Sequence, residues 1–262
     1  MQRSDPSAAG PKGRRDTAGR LLGELLVVAF LAIWWATARG LPNFVLPGPL
    51  AVAHRLLQLL GEPEFLANAL VSTLRVILSV LVACVLGGLL ALLANARPAY
   101  DGIINERIKP FLNSFPSIGW AILASIWFPA GNFGVVFVQV AILTPFCLIN
   151  IDQGFRAIDQ ELLEMGRSFT RSNPRIWLRI HLRLLTPFIL SAIRISYGIA
   201  WKIALVSELL GAPNGLGYMM LQAQSTAEAV TFLAVCFSIV FIFVLGDRLI
   251  LVPLERKFPV TR

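Results

Sequence analysis

The chain has 262 residues, 56% of them hydrophobic and 15% charged, with a mean hydropathy of +0.71 and a formal net charge of +8. Such a chain is too apolar for a soluble domain of this length, so much of its surface must meet lipid. Its basic residues gather at the ends of apolar runs and are not interleaved with exposed aromatics, which argues against nucleic acid as a partner. The three cysteines, Cys84, Cys147 and Cys236, fall inside apolar runs without metal-ligand spacing and read as small packing residues.

Residues 1–20 lack periodic apolar positions and read as a disordered cytoplasmic tail. Residues 21–38 are long enough to span. Arg14 and Arg15 ahead of them and Ala36-Thr37-Ala38 behind imitate a secretory signal, but the run is nearer a full span than a signal's short core. Residues 41–49 hold too many prolines for a helix, and 50–60 form an amphipathic segment. The second span, 66–94, carries Arg75, whose guanidinium is expected to snorkel toward water.

Arg97, Arg107 and Lys109 mark a basic loop. The third span, 111–128, is interrupted by Pro116 and Gly119, and a turn at 129–133 leads into a fourth, 134–150, expected to break at Pro145. Breaks of this kind suit helices that line a path, because the freed carbonyls need other partners. The fifth span covers 188–210 and the sixth 229–251, joined by a turn-rich stretch at 211–218. The glycines there are no phosphate loop, since no strand precedes them and no Gly-Lys-Ser/Thr follows.

Between the fourth and fifth spans lies a charged insert. Ile158, Leu162, Met165 and Phe169 share one helical face, with Gln160, Glu164, Arg167 and Arg171 opposite, and Asp159 is placed to cap the start. Asn173-Pro174 reads as the cap and first turn of a second short helix. In that helix Arg175, Arg179 and Arg183 lie on one side and Trp177, Ile180 and Leu184 on the other, an arrangement suited to an anionic lipid surface. Eighteen of the 23 Lys and Arg residues fall in the N-terminal tail, the 97–109 loop, the insert and the C-terminal end. The positive-inside bias therefore puts both termini and the insert in the cytoplasm, with six spans.

The stretch Glu161-Leu162-Leu163-Glu164-Met165-Gly166-Arg167-Ser168-Phe169, with Pro187 downstream, resembles the "EAA" signature of permease subunits of binding-protein-dependent ABC importers. Glu164 stands at the signature's glutamate, and Met165 and Gly166 at its two alanines. Residues 41–49, 115–120, 126–128, 200–202, 208–211 and 215–218 extend the similarity and resemble the nitrate/sulfonate/taurine branch. Two positions depart from the pattern: Thr170 replaces the signature's glycine, and Arg183 a proline expected before Pro187.

The resemblance implies an all-α integral membrane protein of about six spans, with residues 21–262 forming the transport domain. The insert, about 156–185, would be a cytoplasmic coupling helix. Glu161, Glu164, Met165, Gly166, Phe169 and Thr170 would meet a separate ATP-binding subunit, present in two copies and carrying the ATP and Mg; no catalytic or metal site falls on this chain. The other implied partners are a second permease, the same chain in a homodimer or a different one in a heterodimer, in a bacterial inner membrane, and a periplasmic or lipid-anchored substrate-binding protein. The cargo would be a small anion such as nitrate, a sulfonate, taurine or bicarbonate. Phe115, Pro116, Trp120, Trp201, Lys202 and Glu208 are candidates for the translocation path. Lys202 is either a positive waypoint there or the partner of Glu208 or of an interhelical carbonyl.

Two other classes compete. An intramembrane enzyme needs paired acids or His clusters in the spans, whereas His54 and His181 lie outside them and the spans hold no pair of acids. A secondary transporter or channel would use the same broken helices but work alone, so co-purification of an ATPase separates it from an importer.

Overall fold

The computed structural model describes residues 12–159, 161, 164, 165, 168 and 180–257. Among these residues every regular element is helical. In chain order the helices are α1 (Lys12–Ala38), α2 (Pro49–Leu59), α3 (Pro63–Ala96), α4 (Pro98–Ile103), α5 (Lys109–Ser114), α6 (Ser117–Trp127), α7 (Asn132–Arg156), α8 (Leu182–Gly211), α9 (Leu216–Ser225), α10 (Ala229–Gly246) and α11 (Val252–Lys257). One π-helical turn, Ile104–Ile108, joins α4 to α5, and another, Asp247–Leu251, joins α10 to α11.

Four helical stretches among the described residues are long and apolar enough to cross a membrane: Pro63–Ala96, Asn132–Arg156, Leu182–Gly211 and Ala229–Leu254. The other two expected spans contain shorter apolar helices, Leu22–Ala38 and Ser117–Trp127. α1 starts at Lys12, inside the stretch read as a tail.

The third span divides where the sequence places a break. Phe115 and Pro116 are extended between α5 and α6, because a proline ring disfavours the helical conformation of the residue before it. Gly119 does not interrupt the chain; it lies inside α6, under the Phe115 ring. Pro145 does not break α7 either. It withholds only its own N–H, and the helix continues to Arg156 on the bonds of its neighbours.

The core of the bundle is α3, α7 and α8. α3 and α7 run parallel in constant register, since Arg75 meets Asn132 and Asn95 meets Asp152, both pairs 57 positions apart. α8 returns antiparallel, with Cys147 facing Ser196 and the Gly131 N–H donating to the Gly211 carbonyl at 3.0 Å. Along α3 the exposed positions are large and apolar, among them Leu66, Leu70, Leu74, Leu78, Leu81, Leu89 and Leu93, while small or polar residues such as Ser72, Ser79, Ala83, Gly87 and Ala91 are buried. That pattern belongs to a helix whose solvent is lipid, where close approach of backbones rather than water exclusion holds helices together. At Gly87 the approach is tightest: a side-chain carbon there would stand 2.7 Å from the Cys147 Cβ.

α10 packs on α2 and α9. α1 is attached near its C-terminal end, where Trp34 stacks on Phe237 at 5.9 Å and its indole N–H donates to the Pro47 carbonyl at 3.0 Å.

Candidate functional site

The first concentration of chemistry lies where α3 and α7 begin and the turn 212–215 joins α8 to α9. A helix start leaves its first N–H groups without partners, and here side chains from other helices supply them. The Gly215 N–H donates to Asn68 Oδ1 at 2.6 Å, that of Leu216 to Ser72 Oγ at 2.8 Å and that of Gly217 to Glu208 Oε2 at 2.9 Å. The negative carboxylate thus sits at the positive end of α9, where the helix dipole favours it. Ser72 in turn donates to the Glu208 carboxylate at 2.8 Å.

Glu208 is fully buried, and its counter-charge is Arg75 at 4% exposure, Nη1 to Oε1 at 2.8 Å. The guanidinium spends its remaining donors on Asn132 Oδ1, at 2.9 and 2.5 Å, and on the carbonyl and side-chain oxygens of Asn214. Arg75 therefore does not snorkel. α3 passes directly beside three acceptors, so the charge is neutralised in place. A buried pair is tolerated only when its other donors and lone pairs are also satisfied, and this one meets that condition. The result joins α3, α7, α8 and α9 at one end of the bundle.

Gly215 makes this geometry possible. Its φ of +109° is closed to ordinary side chains, and a Cβ would lie 2.6 Å from the Glu208 carboxylate.

The expected path residues separate into two groups. Phe115, Pro116 and Trp120 come together at the α5–α6 break, with the Phe115 and Trp120 rings 4.7 Å apart and Phe137 of α7 6.0 Å beyond Trp120. Trp201 lies on α8, 4% exposed and edge-on to Tyr197 at 6.3 Å. The indole N–H of Trp120 is buried without a hydrogen-bond partner. Lys202 is exposed on α8 and makes no pair with Glu208. Six helical residues leave the two about 120° apart around the axis, so Glu208 turns into the bundle and Lys202 out of it.

In the insert, Glu161, Glu164, Met165 and Ser168 are helical and exposed, and Asp159 Oδ1 accepts the Glu161 N–H at 2.9 Å, as expected of a cap. Gly166, Phe169, Thr170 and the Asn173-Pro174 corner lie outside the described residues. The insert is rooted where Ile158, buried, packs with Leu185 of α8.

The sequence reading missed the roles of Asn68, Ser72, Asn132 and Asn214, which hydrogen-bond around the ion pair. The available signal was one base and one acid, Arg75 and Glu208, each inside an apolar helix and each needing a partner.

Among the described residues, a helical bundle with lipid-facing leucines and buried polar contacts between helices defines an integral membrane protein that crosses the bilayer several times. The chain matches the model of the binding-protein-dependent transport system inner membrane component over residues 83–252, more than half its length, and belongs to that family: it is a membrane-spanning permease subunit of an ABC transporter. It is 26% identical over 238 residues to the taurine transport system permease protein TauC of Escherichia coli, covering 87% of this chain and 85% of that one. It is 25% identical over 238 residues to the nitrate import permease protein NrtB of Synechococcus elongatus, covering 84% of each. Among solved structures, the methionine ABC transporter MetNI in an inward-facing conformation superposes with a TM-score of 0.62 at 18% identity, over 73% of this chain and 96% of that one.

Proposed function

We propose that this chain is the membrane half of an ATP-driven importer for a small anion of the taurine, sulfonate, nitrate or bicarbonate type. The observation that carries the reading is the set of exposed helical residues Glu161, Glu164, Met165 and Ser168, capped by Asp159 and set between two helices long and apolar enough to cross a membrane, in a chain of the ABC permease family. Its placement supports a coupling helix that docks on a separate ATP-binding subunit, with Glu161 and Glu164 meeting basic or amide groups and Met165 an apolar groove. Gly166, Phe169 and Thr170 complete the proposed contact. Movement of two such ATPase subunits would then be handed to α7 and α8 as rigid-body motion.

In this reading α1 and α6 complete six spans, and residues 21–262 form the transport domain behind an N-terminal tail. The Lys and Arg distribution sets both termini and the insert on the cytoplasmic face of a bacterial inner membrane. The Arg75–Glu208 cluster is then on the outer side, where a substrate-binding protein delivers cargo. Two permease copies frame the path; Phe115, Pro116, Trp120 and Lys202 line it, Trp201 stands behind Lys202 in the core of the bundle, and Glu208 fixes the outer ends of its helices.

Glu164→Lys tests the reading. The variant is expected to insert and assemble normally while uptake by the complete importer is lost and ATP hydrolysis persists. Undiminished uptake would sink the proposed docking of the insert.

A further inference from the structure

At the end of the bundle nearest the insert, a second polar chain crosses between helices. Arg156, the last residue of α7, donates from Nε to Asp152 Oδ2 at 2.9 Å and from Nη2 to Asp101 Oδ1 of α4 at 2.7 Å. Asp152, 3% exposed, also accepts from Asn95 Nδ2 of α3 at 2.9 Å. Asp101 Oδ1 accepts from Asn105 Nδ2 at 2.7 Å, and Asn105 Oδ1 from Lys109 Nζ at 3.2 Å. The chain therefore runs from the end of α7, through α4 and the π-helical turn, to the first residue of α5.

An apolar contact follows the same route. Ile158 and Leu185, at the roots of the insert, pack with Phe155 and Ile189. Those two residues also pack against the cluster of Ala91, Leu148, Ile151 and Ile104, the last from the π-helical turn. Phe155 and Ile189 thus pack against the insert's roots on one side and, on the other, against a cluster to which the segment joining α3 to α6 contributes Ile104. That segment ends at Phe115, whose ring lies on Trp120.

We propose that Asp101–Arg156 is a strut that carries movement of the insert to the 98–114 segment and so to the Phe115–Trp120 aromatic pair. Arg156 stands three residues before the cap of the insert, so it moves with the insert's root. Asp101 stands on a six-residue helix held between α3 and the π-helical turn, short enough to follow it. The π-helical turn beside it interrupts the regular i→i+4 ladder between α4 and α5, a feature that recurs at functional sites. Arg156 and Asp101 are positioning residues, since neither touches cargo or nucleotide. The inference rests on the ATP-driven reading above.

The test uses the complete importer with its ATPase and the native cysteines replaced by alanine. Spin labels on Ser168→Cys, exposed in the insert and outside the proposed docking contacts, or on Phe111→Cys are each measured against Leu66→Cys, before and after vanadate trapping of nucleotide. In the parent both distances should shift. In Asp101→Asn and in Arg156→Gln the Ser168 shift should persist while the Phe111 shift falls by at least half, and the exchange Asp101→Arg with Arg156→Asp should restore it. An unchanged Phe111 shift in both single variants overturns the strut; so does an effect of Arg156→Gln alone, which would assign the role to Asp152.

If no distance shifts in the parent, the ATP-driven reading itself fails. In the importer with native cysteines, each single variant should hydrolyse ATP within twofold of the parent but move at least fivefold less labelled taurine or nitrate per ATP. Parental stoichiometry in both variants would also overturn the strut.

Discussion

Arg75 of α3 and Glu208 of α8 are 2.8 Å apart with side-chain exposures of 4% and 0%, and between them they engage Ser72, Asn132, Asn214 and the first turn of α9. Removing one charge leaves the other buried without compensation. Glu208→Ala should therefore destabilise the fold by about 3–5 kcal/mol. Arg75→Met together with Glu208→Leu should recover part of that loss, because neither charge then remains in the apolar interior. Thermal unfolding of the detergent-solubilised protein measures both; equal loss in the single and double variants would show that the hydrogen bonds, not the charges, dominate.

Gly215 allows a second test of the same cluster. Gly215→Ala forces a φ of +109° on a residue with a side chain and drives its Cβ into the Glu208 carboxylate. The backbone strain alone costs about 1–3 kcal/mol, and the overlap adds to it. The variant should accumulate poorly and unfold at lower temperature than Ala227→Gly, which relaxes a positive φ elsewhere in the chain.

Periodicity and charge placement made the four long helices legible in the sequence, as did the α5–α6 break and the Asp159 cap, because each depends on residues close along the chain. The partner of Arg75 was not legible. It requires α3 to lie beside the far end of α8, 133 positions away, and nothing local reports that register. Of the alternatives open for Lys202, the pair with Glu208 falls to helical phase, which sends the two side chains apart, and Glu208 pairs with Arg75 instead. Pro145 misled because one missing N–H does not break a helix whose neighbours keep their bonds.

The contact of α3 with α7 predicts an asymmetry between adjacent glycines. A Cβ at Gly87 would stand 2.7 Å from both Cys147 Cβ and the Leu148 backbone nitrogen, whereas one at Gly88 would meet only Ile151 Cδ1 at 3.4 Å. Gly87→Ala should cost about 1–3 kcal/mol through overpacking, and Gly88→Ala close to nothing. Comparable unfolding temperatures for the two variants would contradict the parallel register drawn from Arg75–Asn132 and Asn95–Asp152.

Lys202 is exposed on α8, one residue from the buried Trp201, and Glu208 is engaged elsewhere. An ammonium at membrane depth is costly unless it faces water or an anion, so its exposure points toward the path proposed between two permease copies. If it attracts a passing anion, the positive charge matters more than the shape of the side chain. Lys202→Arg should keep uptake near the parental rate, whereas Lys202→Met should lower it about tenfold, corresponding to about 1.4 kcal/mol in the barrier. Labelled taurine and nitrate presented with the complete importer serve as probes, and ATP hydrolysis is followed in parallel to separate a lost waypoint from a lost coupling. Equal uptake by the two variants would remove Lys202 from the path and leave the aromatic pair Phe115–Trp120 as its principal candidate.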